Sequence, residues 1–195
     1  MSTPVFSDTR TTFGNTKTST FTTFIHSPRP QETDFFTDPA GSNTRIFAED
    51  PFRARFGHRL PRGLREEAKG MQWRTFLATY APASDMRMQF THIEKLRGAH
   101  QRYCAEITET INGHRVTRAR EVIASGPVQA CSNILGDLGR RVEIHSFHQF
   151  EIFEATVTFV YAGNNKDRHW AMGFGGTREQ SACAAMTAAA EMIYG

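Results

Sequence analysis

The chain has 195 residues, 39% of them hydrophobic and 22% charged, the proportions of a soluble globular protein with room for one domain and an extension or for two small domains. A net charge of +3, with no basic run beyond Gly139-Arg140-Arg141, is too mild for a nucleic-acid partner, and no apolar run approaches the roughly 18 residues of a membrane span. The opening stretch has no charged-then-apolar signal layout, so a cytoplasmic protein is expected, and the three cysteines, Cys104, Cys131 and Cys183, stand far apart among apolar or small neighbours, as reduced buried residues do.

Residues 1–57 read as an irregular tail. It is rich in Thr and Ser through residue 50, and Pro28, Pro30, Pro39 and Gly41 break any period. Its phenylalanines (Phe21, Phe24, Phe35, Phe36, Phe47) offer apolar groups for docking on the body or on a partner. Residues 58–82 read as a short helical linker. Pro61 suits a first helical position, Leu64 and Ala68 stand four apart, and Gly70 ends that helix. "QWRTFLATYAP" is a second short helix, stopping before Pro82.

From residue 83 the period changes. "MRMQFTHI" alternates Met86, Met88 and Phe90 against Arg87, Gln89 and Thr91, and "YCAEITETI" alternates Ala105 and Ile107 against Glu106 and Thr108. Asn112-Gly113 is a strong hairpin signal, and "HRVTRAREVI" returns as a third strand. Gly126 and Pro127 then open a helix with Val128, Cys131, Leu135 and Leu138 on one stripe, ended by Gly139. The order repeats: "VEIHSFHQFEI", "EATVTFVYA", a turn at "GNNKD", "RHWAMGF", and a last helix opened by the capping pair Thr177 and Gln180, with Cys183, Met186, Ala190 and Ile193 as its stripe. The expectation is α+β: two βββα units, over 86–139 and 142–195, in a domain spanning 83–195.

Little in this layout carries chemistry. His145 and His148, three apart on a strand, are expected to face opposite sides, and no third ligand stands at metal spacing, so no metal site is expected. "GFGG" before the last helix lacks the lysine of a phosphate loop. It has two open readings: free N–H groups for a carboxylate-sized anion, or close helix–sheet packing that leaves no space for a Cβ. Glu106, Glu109, Glu151 and Glu154 alternate as solvated strand faces do, and no Ser, Cys or Lys sits in a nucleophile motif. Neither a catalytic group nor a cofactor is expected.

Residues 58–195 resemble the C-terminal part of α-isopropylmalate synthase, the acetyl-CoA-dependent enzyme of leucine biosynthesis. The likeness lies in "LPRGLREE", "FLATYAP", "TING", "SGPVQA" and "WAMGFGGTREQSA", in that order and spacing, with Trp170, Gly173 and Thr177 the strongest single element. In that family the regulatory domain is two βββα units, dimerises, and binds the feedback inhibitor leucine. The chain departs from the family in Ala124-Ser125, where Gly-Asn is usual, and in His145-Ser146, where Asp-Tyr is usual. The family's metal-binding His-x-His has no counterpart, and residues 1–57 are too short for a catalytic barrel.

The resemblance therefore implies a stand-alone regulatory domain, not itself an enzyme, that forms a homodimer and binds a branched-chain amino acid. Carried over residue by residue, the pocket uses Ser125, Gly126, Pro127, Val128 and Ala130 of the first unit. From the second unit it uses His145, Ser146, Phe147, Ala155, Gly173, Phe174 and Gly175. Two other readings stay open: an interaction module that has lost its ligand, and a non-catalytic subunit of a separately encoded condensing synthase.

Overall fold

Both β-β-β-α runs are present in the computed structural model, which describes residues 49–195; the tail expected over residues 1–48 lies outside them. The first unit is β1 (Met86–Lys95), β2 (Gln101–Ile111), β3 (His114–Ala124) and α4 (Pro127–Asp137). The second is β4 (Glu143–Ile152), β5 (Ala155–Gly163), β6 (Arg168–Gly175) and α5 (Arg178–Tyr194). They follow three short helices: α1 (Pro51–Phe56), α2 (Arg62–Glu67) and α3 (Trp73–Tyr80). Each unit folds its strands into a three-stranded antiparallel meander, ordered β1-β2-β3 and β4-β5-β6.

Local chemistry explains the boundaries. Asn112 and Gly113 both take positive φ (52° and 78°), as a two-residue hairpin loop that matches strand twist demands. At the end of α4, Gly139 is left-handed (φ 79°), its N–H donates to the Gly136 carbonyl at 3.0 Å, and Arg140 N–H donates to the Leu135 carbonyl at 2.8 Å. These two bonds are the pattern by which a glycine closes a helix C-terminus. Thr177 Oγ1 accepts from Gln180 N–H at 3.2 Å, while Gln180 Oε1 accepts from Gly176 N–H at 3.1 Å, so the capping pair is made one residue wider than its sequence spacing implied. Pro61 precedes α2 as its cap instead of opening it.

The layers differ from a simple pair of helix-covered sheets. Met86, Met88, Ala105 and Ile107 of the first sheet face α4 and α5, and Val160, Ala162 and Ala171 of the second sheet meet the same helices from the other side. Helix α5 is buried around nearly its whole girth from Ser181 to Ala190, because it lies against β5 and β6 of its own unit and β1 of the other. Only small side chains allow a helix to approach two sheets at once, which accounts for its alanines. The stripe expected from Cys183, Met186, Ala190 and Ile193 thus understates it, and Ile193 itself is only partly buried.

One further expectation needs correction. Residues 50–57 are not tail: Asp50 caps α1 by accepting from Phe52 and Arg53 N–H, and also from Leu60 N–H at 3.0 Å, and Phe52 is fully buried. Helices α1–α3 cover the outer face of the second sheet, placing Phe52, Leu64, Phe76 and Tyr80 against Val157, Phe159, Trp170 and Met172. Val157 and Phe159 are therefore fully buried within the single chain. Cys131 and Cys183, 52 residues apart, meet across α4 and α5 with their sulfurs 3.7 Å apart. Burial, then the neighbouring thiol, pushes Cys131 well above the usual thiol range, so it stays protonated. Among the described residues no helix is long and apolar enough to cross a membrane.

Candidate functional site

The two glycine junctions are not equivalent. Gly126 caps α4 with extended backbone (φ −171°, ψ 168°) that any residue adopts, and a Cβ placed on it meets nothing within 4 Å. Packing does not require glycine there. A Cβ on Gly173 would run into the backbone nitrogen of Ala185, and one on Gly175 into that of Ser181. At these two positions, close approach of α5 to β6 is reason enough for glycine. The N–H of Gly176 is already taken by the Gln180 side chain and that of Gln180 by Thr177, which weakens the anion reading of this helix start.

A cleft of about 530 Å³ opens between the two units. Its walls are the outer edges of β1 (Met86 to Gln89) and β6 (Met172 to Gly175), and its floor is the face of α5 carrying Gln180, Ala184, Thr187 and Ala188. Both strands end their sheets, so neither pairs with a further strand on the cleft side. The linker between α3 and β1 closes one end with Ala81, Pro82 and Ser84. That linker is tied down twice. Arg140 donates to both Asp85 oxygens at 3.0 and 2.9 Å, and Ser84 Oγ donates to Glu191 Oε2 at 3.0 Å. The Arg140 hydrogen bonds hold the Asp85 carboxyl below the usual carboxylate range, and the same contact raises Arg140.

No known family's pattern matches this chain, and no curated protein matches it. Placement of the twelve carried-over residues therefore rests on the geometry alone. Gly173, Phe174 and Gly175 line the cleft; the other nine do not. Ser125, Gly126 and Pro127 sit at the β3–α4 turn, where Gln129 Oε1 accepts from Ser125 N–H at 2.9 Å and from Ser125 Oγ at 2.6 Å. Val128 and Ala130 point into the core. Ala155 begins β5 beside the start of α5, in a separate shallow depression. His145, Ser146 and Phe147 lie on β4, the far edge of the second sheet.

His145 and His148 share a face, contrary to the alternation argument. The β4–β5 register shifts between Ile144 and Ser146, and this bulge at His145 removes one residue from the alternation. The His145 ring lies 5.7 Å from Tyr161 and the His148 ring 6.2 Å from Trp170, and Tyr161 and Trp170 are register partners. The described residues contain no group of three or more His, Cys, Asp or Glu able to hold a metal.

The sequence reading missed Arg87, Met86 and Met88 as wall residues and Gln180 as a floor residue. In the sequence Arg87 is the polar half of an ordinary strand alternation. The only signal was a single arginine between two methionines, which has no meaning until a second edge lies opposite it.

Proposed function

We propose that residues 58–195 form an effector-binding regulatory domain of the α-isopropylmalate synthase type, binding a small amino acid of the branched-chain class and having no condensing activity of its own. The doubled βββα layout supports this reading, because it is the layout the resemblance implies. The observation that carries it is the cleft, whose walls come from both units: β1 from the first, β6 and α5 from the second. A ligand held there changes the free energy of one unit relative to the other, which is the physical requirement for binding to alter domain arrangement. The flexible thioethers of Met86 and Met88 on the edge strand suit a small branched apolar chain.

The test is a set of melting scans with leucine, isoleucine and valine. A ligand at a hundredfold excess over its Kd, binding only the folded chain, adds about 2.7 kcal/mol, a rise on the order of 5–10 °C for a domain of this size. No shift with any of the three removes the reading. Free-thiol release from acetyl-CoA with 2-ketoisovalerate and Mg²⁺ should not exceed a heat-killed control, and light scattering should give the two-fold dimer that the family pattern implies.

A further inference from the structure

We infer that Arg87 is the anchor for the ligand in this cleft, and that the cleft reads a carboxylate on an apolar chain and does not read an ammonium group. The inference rests on the regulatory reading above and goes further in naming the ligand class. Among the described residues Arg87 is the one charged residue that lines the cleft, and it forms no ion pair with another of them. The polar side chains around it are already committed. Gln89 Nε2 donates to Glu106 at 3.1 Å, and Gln180 Oε1 holds Gly176 N–H. The Ser84 hydroxyl donates to Glu191 and accepts from Met86 N–H at 3.1 Å, and the Thr187 hydroxyl donates back into its own helix at the Cys183 carbonyl, 3.0 Å away.

Among the described residues no carboxylate lines the cleft. Asp85 is ion-paired with Arg140, and Glu106 and Glu191, outside the lining, accept from Gln89 and Ser84. Unpaired carbonyls along β1 and β6 can accept an N–H but bring no full negative charge. A ligand carboxylate therefore gains a charge-assisted bond to a guanidinium, while an ammonium group gains no counter-ion. The apolar part of the ligand rests on Ala184 and Ala188 beside Met86 and Met88. The class that fits is an apolar monocarboxylate: the 2-oxo acid and the plain carboxylic acid bind as well as the amino acid does.

Titration calorimetry on the full chain tests this with leucine, 4-methyl-2-oxopentanoate, 4-methylpentanoate and leucinamide, each against wild type and Arg87→Gln. The three carboxylates should bind within about threefold of one another, and leucinamide about tenfold or more weaker, the weight of a hydrogen bond to a charged group. Arg87→Gln should weaken the carboxylates by a similar factor and leave leucinamide unchanged; the exposed position of Arg87 lets the variant fold. Leucine binding equally to both proteins, or leucine binding where the 2-oxo acid does not, overturns the anchor and leaves the regulatory reading standing. The 2-oxo acid binding where leucine does not keeps the anchor and removes the amino-acid reading. Binding by none of the four removes both.

Discussion

The two βββα units repeat one order of elements and live in different surroundings. The first sheet has one face on the core, and its other face carries Arg87, Gln89, Glu106, Thr108, Arg115 and Thr117 into solvent. The second sheet is covered on both faces, by α5 on one side and α1–α3 on the other, and β5 is accordingly buried along most of its length. The glycine junctions differ in the same way: Gly126 has open space beside it, while Gly173 and Gly175 are pressed by α5. A repeat in sequence order fixes which elements form, but how many faces each buries depends on what else the chain supplies nearby.

This contrast predicts where the molecule is fragile. Phe52→Ala should have the largest effect, about 3–5 kcal/mol in urea unfolding, because the ring is fully buried edge-on against Phe159 at 5.1 Å and holds α1 to the second sheet. A loss below about 1 kcal/mol would mean that α1 is not part of the stable body, and would return residues 50–57 to the tail. Gly173→Ala comes next, at about 3 kcal/mol, since its Cβ meets helix backbone that cannot swing aside.

Gly126→Asp should go the other way. With open space, extended backbone and no existing side-chain cap, an aspartate there can accept from the first N–H groups of α4 and add about 0.5–1 kcal/mol. If the two junctions were equivalent, both substitutions would destabilise. Phe153→Gly sharpens the comparison of turns. Asn112 tolerates its positive φ, but Phe153 holds φ 48° on a ring that is 89% exposed, so little packing offsets the strain. Relief of about 1 kcal/mol is expected from chemical denaturation.

The smallest effect concerns the tie that holds the α3–β1 linker. The lowered Asp85 carboxyl contributes stability above the ordinary carboxylate range near pH 4, and that contribution is lost as the pH falls through its folded value. Asp85→Asn should cost about 0.5 kcal/mol at pH 7, as partly exposed pairs do, and nothing once both states are protonated. Unfolding curves at pH 7 and at pH 2.5 check this; an equal cost at both would mean that the Asp85–Arg140 pair contributes nothing through its charge.

What the sequence by itself determined is everything set by neighbours along the chain. Asn112-Gly113, Gly139, Thr177 with Gln180, and the change from helical to strand periodicity each act through backbone chemistry within a few residues, and they located both units and their order. What only the tertiary structure decided is which faces meet. The period of α1 is too short to mark it as a docked helix, and the alternation of β5 looks the same whether its second face meets water or α1–α3. A one-residue bulge at His145 moved two histidines onto one side. Cys131 met Cys183, and Arg87 came to line one cleft with residues of β6 and α5, only because two sheets share one helix. Contacts between residues far apart in the chain depend on the mutual placement of whole elements, and no local pattern encodes that placement.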